Sequence, residues 1–287
     1  MTSKTLHIVL GPTAVGKSDF AIEKALESGS VVISCDSRQI YKEMNIGVAR
    51  PTAEQLARVP HYFIANHSVE EYYTAGLYEL EALELLEKLF ARHDALVMAG
   101  GSGFYIDALC KGLDDFPPAD IELRAALMQR LESEGLESLQ RELLRLDPAT
   151  FAAIDTSNRQ RVVRALEVTL STGRPFSSFK TEPAKKRPFR IEKTGLRRSR
   201  ECLYRRIDAR VDAMMDAGLE QEARSLLRYR HLPALNTVGY KEMFGYFDGE
   251  YSLEEAVRLI KRNSRHYAKK QMTYWRRDTS INWIDLD

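Results

Sequence analysis

Leu6-His7-Ile8-Val9-Leu10-Gly11-Pro12-Thr13-Ala14-Val15-Gly16-Lys17-Ser18 joins an apolar, β-leaning run to the pattern G-x-x-x-x-G-K-[ST]. A helix-like stretch, Asp19 to Ala25, follows at once. Strand, glycine-rich turn and helix in that order make a phosphate-binding loop. Gly11, Pro12, Thr13, Ala14, Val15, Gly16, Lys17 and Ser18 are therefore the expected anion-binding set. The glycines let successive backbone N–H groups curl around an anion at a helix N-terminus. Lys17 adds a point charge, and the Ser18 hydroxyl is placed to ligate Mg²⁺ on the same phosphates. The chain binds a diphosphate or a triphosphate.

Working outward, Val31 to Cys35 reads as a second buried strand that ends in Asp36-Ser37, and Ala95 to Ala99 as a third that ends in Gly100-Gly101-Ser102-Gly103. Between them, Tyr73 to Ala91 has helical periodicity, with Leu77, Leu80, Ala82, Leu85 and Leu89 on the predicted buried face. Strands alternating with helices imply a parallel sheet with right-handed crossovers, and ligands gather at the carboxyl ends of such strands. Three strand ends then converge on one cleft. After Phe116-Pro117-Pro118 the pattern turns helical, with predicted helices over Asp120 to Leu146 and Asn158 to Ser171. Pro175, Pro183 and Pro188 bracket a Lys-rich linker, after which a strand (Phe189 to Leu196) returns the chain to the sheet. A long helix from Arg200 to about Tyr229, another from Leu253 to Arg277 and a last strand, Ile281 to Ile284, are expected. The predicted organisation is an α/β core, residues 1–115 and 181–287, interrupted by an all-helical insertion, residues 116–180.

With 287 residues the chain has ample core for one large domain or two. The longest apolar runs are strand length, far short of a membrane span, and no signal peptide is expected ahead of the phosphate loop. Cys35, Cys110 and Cys202 are scattered and odd in number, without C-x-x-C spacing, which suggests reduced thiols in the cytoplasm. A net charge of +1 decides nothing by itself. Its distribution does more: Ala256 to Arg277 holds eight Lys or Arg and no acid, interleaved with Tyr267, Tyr274 and Trp275. Such a stripe suits an RNA backbone, although a solvated helix face is the commoner origin of a basic run.

An ordinary P-loop ATPase places an acid at the end of an apolar strand to hold Mg²⁺ and water. Here the third strand ends in Ala99-Gly100-Gly101, and the carboxylate is instead Asp36, after the second. A carboxylate facing bound phosphates suits proton removal from an incoming nucleophile, which favours group transfer to an acceptor. An N-cap for the following helix is the alternative role for Asp36.

These residues resemble the tRNA dimethylallyltransferases (tRNA isopentenyltransferases). The likeness rests on residues 11–18, on Asp36-Ser37-Arg38-Gln39-Ile40-Tyr41-Lys42, on Asn45-Ile46-Gly47-Val48-Ala49-Arg50-Pro51 and on Gly100-Gly101-Ser102-Gly103-Phe104-Tyr105. It continues through Asn158-Arg159-Gln160-Arg161-Val162-Val163-Arg164-Ala165-Leu166-Glu167, Gly239-Tyr240-Lys241-Glu242 and Tyr267-Ala268-Lys269-Lys270-Gln271. The resemblance implies a P-loop NTPase-like fold and transfer of a dimethylallyl group from dimethylallyl diphosphate to N6 of adenosine 37 beside the tRNA anticodon. It casts Asp36 as general base on a flipped-out adenine, Thr13 as a contact to the diphosphate, and Lys17 and Arg206 as its cationic partners. Asp36, Ser37, Arg38, Gln39, Ser102, Arg124, Gln160, Arg161, Val162, Val163 and Arg164 fall where the family meets tRNA. Ser102 stands where some relatives carry Thr, which keeps the hydroxyl. Eukaryotic relatives extend into a zinc finger, and without a Cys/His cluster the bacterial type is the expected match. Mg²⁺ as cofactor and a cytoplasmic monomer complete the expectation. A small-molecule or nucleoside kinase, an AMP/ADP isopentenyltransferase and a nucleotide-gated RNA-binding module are the rival readings.

Overall fold

The computed structural model describes residues 4–114, 116–180 and 185–287, so Pro183 of the expected linker lies outside the described residues. Among them a six-stranded sheet is formed by β1 (Thr5–Leu10), β2 (Val32–Ser34), β3 (His61–Tyr62), β4 (Ala95–Gly100), β5 (Arg190–Arg197) and β6 (Ile281–Asp285). The order is β3-β2-β4-β1-β5-β6, and every pairing is parallel. Leu6, Ile8, Val9 and Leu10 of β1 are fully buried, as a central strand covered on both faces requires.

The helices are α1 (Lys17–Glu27), α2 (Ala53–Arg58), α3 (Ala75–Phe90), α4 (Gly103–Lys111), α5 (Ile121–Glu134), α6 (Leu136–Leu146), α7 (Pro148–Ala153), α8 (Arg159–Thr172), α9 (Arg200–Asp216), α10 (Leu219–Ser225), α11 (Tyr240–Phe247) and α12 (Leu253–Trp275). Their N-termini are fixed by short polar side chains that accept otherwise orphaned N–H groups: Thr74 for α3, Asn158 for α8, Ser199 for α9 and Ser252 for α12.

The chain divides into two compact units, Met1–Cys110 with Lys186–Asp287, and Lys111–Lys185. The second is wider at both ends than residues 116–180. It contains α5 to α8, and its core joins Leu127, Leu131, Leu139, Leu143, Val162, Val163 and Leu166.

Three helix expectations need correction. Gly135 (φ 81°) ends α5 and starts α6, so residues 120–146 do not form one helix. Gly218 (φ 99°) likewise separates α9 from α10 inside the stretch expected to run to Tyr229. In α3 the buried stripe is Tyr78, Ala82, Leu86 and Leu89, whereas Leu77 and Leu80 are exposed. The aromatic Tyr78, stacked on Tyr105, sets the rotation of that helix rather than the count of leucines.

Arg187, where the chain re-enters the first unit, closes the end of α4. Its Nε donates to the Leu109 carbonyl (2.6 Å) and its Nη2 to the Ala108 carbonyl (3.0 Å) and to Glu79 of α3 (2.6 Å). Both charged side chains are less than a tenth exposed. Stranding a buried charge costs about 3–5 kcal/mol. Arg187→Met is therefore expected to lower the urea midpoint of this unit by a stability change of about 3 kcal/mol. The fluorescence of Trp275 and Trp283, both within the unit, follows that transition.

Candidate functional site

The segment between β1 and α1 forms the expected phosphate loop. Gly11 lies close against β5: a Cβ there would sit 2.6 Å from the Leu196 carbonyl oxygen. Ala14 (φ 62°) and Gly16 (φ 113°) hold left-handed backbone, the curl that turns amides inward. Lys17 Nζ donates to the carbonyls of Gly11 and Pro12, each at 2.9 Å, and so braces its own loop. Burial pulls its pKa down to about 8, against the opposing pull of the Asp36 charge. Ser18 is exposed and lines the cavity over the loop, next to Asp19.

Three distant side chains grip the loop from outside. Arg198 Nε donates to the Val15 carbonyl (3.0 Å) and Arg206 Nε to the Ala14 carbonyl (2.8 Å). Arg210, one turn beyond Arg206 on α9, reaches the Thr13 hydroxyl through Nη1 (3.3 Å). Arg206 stays on the exposed rim, whereas burial lowers the pKa of Arg210 and the Asp36 charge works against that shift. Arg210 is the inward-facing cation that sequence reasoning missed. One signal was available: Leu203, Ile207 and Val211 form the buried stripe of α9. At 3.6 residues per turn, Arg210 lies about 60° from the centre of that stripe and Arg206 about 100°.

Asp36 follows β2. Its Oδ1 accepts from the N–H groups of Arg38 (2.9 Å) and Gln39 (3.3 Å), so it caps the turn after the strand. Its Oδ2 takes no protein donor among the described residues. The two roles weighed for this residue are thus compatible, one on each oxygen. Ser102 Oγ accepts from the Ser37 N–H (2.9 Å) and ties the β4 turn to the β2 turn. Gln39 is spent on the carbonyls of Val48 and Ala49.

Two cavities border this group. The first, about 570 Å³, is lined by Thr13, Lys17, Ser18, Asp36, Arg206 and Arg210, among others. The second, about 440 Å³, is lined by the apolar Ile207, Val211, Met214 and Ile260 and by Ser37 and Arg38, among others. Thr13, Asp36, Arg210 and Tyr267 line both. Burial and the Asp36 charge push Tyr267 up to about 12, so it is a neutral donor.

The remaining predicted RNA contacts lie in the helical unit. Arg124 Nη2 meets Gln160 (3.3 Å), and Arg164 pairs with the buried Glu167 (2.6 Å). Arg161 and Gln160 are exposed. Val162 and Val163 are fully buried in the core and offer no side chain to a ligand.

A phosphate loop at the end of β1, within a parallel sheet and near a carboxylate that follows β2, two strands away across β4, defines a P-loop NTPase-like α/β protein. Comparison with known proteins narrows this. The chain belongs to the IPP transferase family, whose sequence profile matches residues 39–278. It is 56% identical over 280 residues to tRNA dimethylallyltransferase 2 of Porphyromonas gingivalis, a match covering 98% of this chain and 93% of that one. It is 50% identical to tRNA dimethylallyltransferase 1 of Bacteroides thetaiotaomicron, with 98% and 91% covered. Among solved structures it resembles the full-length tRNA isopentenylpyrophosphate transferase of Bacillus halodurans, with a TM-score of 0.70 at 36% identity, covering 98% of this chain and 90% of that one.

The lowered pKa of Lys17 has a measurable consequence for anion binding. Only the charged amine attracts a diphosphate, and in the free protein that charge is lost as pH rises through about 8. The affinity advantage of the unsubstituted protein over Lys17→Met for inorganic pyrophosphate, measured by calorimetry, is expected to be full near pH 6.5 and to shrink above pH 8. Taking the difference between the two proteins cancels the titration of pyrophosphate itself.

Proposed function

We propose that this chain transfers a dimethylallyl group from dimethylallyl diphosphate to N6 of adenosine 37, beside the anticodon of tRNA, and releases diphosphate. The observation that carries the reading is the position of Asp36. One of its carboxylate oxygens is without a protein donor, and it lies on the wall shared by two cavities, across from a loop built for a diphosphate. Family membership and the named relatives agree with it.

The donor's diphosphate lies on the loop amides, with Lys17 and Arg210 facing the charge that grows as the allylic C–O bond breaks. Thr13, held by Arg210, presents its hydroxyl to the same oxygens. The adenine is flipped out of the anticodon loop and reaches the shared wall. N6 attacks the allylic carbon, and Asp36 Oδ2 accepts the proton that N6 sheds. An exocyclic amine is a poor nucleophile, so alignment of the two reactants supplies much of the rate.

Mg²⁺ fits this site. The exposed Ser18 hydroxyl is a hard oxygen donor, and an ion that keeps waters and phosphate oxygens as ligands needs only one or two from protein. Ser18 with the diphosphate oxygens would hold it, and when bound it would neutralise charge on the departing group. For RNA, the exposed Lys269, Lys270, Arg276 and Arg277 of the α12 region supply backbone charge. The free thiols of Cys35, Cys110 and Cys202 support a cytoplasmic setting.

The protein, dimethylallyl diphosphate, Mg²⁺ and an anticodon stem-loop carrying unmodified adenosine 37 are expected to give RNA heavier by one dimethylallyl group. Asp36→Ala is expected to abolish that product with RNA affinity retained. Removing one donor to developing charge typically costs 10²–10³-fold, so Arg210→Met should lower kcat about 100-fold. Unmodified RNA, together with ATP-dependent phosphorylation of a small metabolite, overturns the reading.

A further inference from the structure

Gln271 lies on α12, 258 residues from Thr13, and both ends of its side chain are committed. Its Oε1 accepts from the Thr13 N–H (2.9 Å), and its Nε2 donates to the Gly101 carbonyl (2.9 Å). The residue is 6% exposed, so neither bond has water as a ready replacement. A Cβ at position 101 would collide with Gln271 Nε2, hence the absent side chain of Gly101 is what admits the amide.

In a phosphate loop whose amides all serve the ligand, the Thr13 N–H would point at phosphate. Here Gln271 takes it. Thr13 is therefore held at three places: its amide by α12, its hydroxyl by Arg210 on α9 (3.3 Å), and its chain by the loop. We infer that Gln271 is a positioning residue that fixes the Thr13 backbone so that the Thr13 hydroxyl meets the diphosphate leaving group. The inference rests on the prenyl-transfer reading above.

The test is a mutant cycle in the intact enzyme. Gln271→Met keeps length and volume but makes neither hydrogen bond. Misplacing a reacting contact by about 1 Å can cost 10²-fold, so Q271M is expected to lower kcat about 10- to 100-fold at saturating donor. The stem-loop Kd should stay near that of the unsubstituted protein, while the thermal midpoint falls by only a few degrees, because the Thr13 N–H and the Gly101 carbonyl lose their partner. If Gln271 acts through the Thr13 hydroxyl, adding Q271M to Thr13→Ala costs less than about twofold more, since the group being positioned is already gone. Losses that multiply in the double variant would overturn the inference, as would a Q271M enzyme with unchanged kcat. Should Q271M not fold, Gln271→Leu, which likewise makes neither hydrogen bond, takes its place in the cycle with the same expected loss of kcat and the same near-absence of further loss on Thr13→Ala. Failure of the unsubstituted protein to prenylate the stem-loop would instead overturn the functional reading itself.

Discussion

Two glycines at the end of β4 decide how closely everything else can approach the phosphate loop. A Cβ on Gly100 would lie 2.6 Å from the Cys35 sulfur and 2.7 Å from the Cys35 carbonyl oxygen, so the strand end bearing Asp36 packs directly on bare backbone. Gly101 does the same service for Gln271 on α12. Any side chain at either position would push one neighbour outward, and a carboxylate or an amide moved by a methyl's width loses its reach. The place where a P-loop ATPase carries its acid is thus occupied by the absence of a side chain. The acid sits one strand over, and the gap it leaves admits a residue from the far end of the chain.

That arrangement explains how the cations are divided. Arg198 and Arg206 each commit Nε to a loop carbonyl, which opposes the inward-turned amides and stiffens the curl, and Arg206 also lines the cavity over the loop. Lys17 and Arg210 are a half-buried pair, both with pKa lowered by desolvation and both relieved in part by Asp36. Two desolvated cations facing one carboxylate leave a net positive site, and a multiply charged leaving group restores the balance. Groups already fixed in place need no reorganisation when charge develops on a bound anion.

What could be read from the chain alone follows the range of the interactions. The phosphate loop is a local pattern, with strand, turn and helix within some twenty residues, and Asp36 is found by the rule that ligands collect at strand ends. Arg206 and Arg210 are one turn apart in the same charged run, so motif position alone does not separate them. The phase of Leu203, Ile207 and Val211 does. Gln271 gives no local signal, because its meaning depends on Gly101 and Thr13, which only the fold brings to it. In α3 the leucine count misplaced the buried face because Tyr78, through its stack on Tyr105 and its hydroxyl's bond to the Ser34 carbonyl (3.0 Å), fixes the helix rotation. The motif around residues 160–164 carries two kinds of residue: Gln160 and Arg161 are exposed, whereas the side chains of Val162 and Val163 pack into the core beneath them.

In the proposed reaction the groups in and beside the two cavities leave Asp36 as the base. Lys17 donates to two carbonyls and faces an anion that favours its charged form, so it has no lone pair to offer while the donor is bound. Arg210 does not deprotonate near neutrality. The thiol of Cys35 is buried and pushed up by desolvation and by Asp36, which keeps it protonated. Tyr267, at about 12, can give a hydrogen bond but does not take a proton. The Thr13 hydroxyl already accepts from Arg210 and is no base. Of these groups Asp36 has a carboxylate oxygen that takes no protein donor among the described residues, and it lines both cavities. Its other oxygen is fixed by two backbone amides, so the group that receives the proton cannot swing away from it.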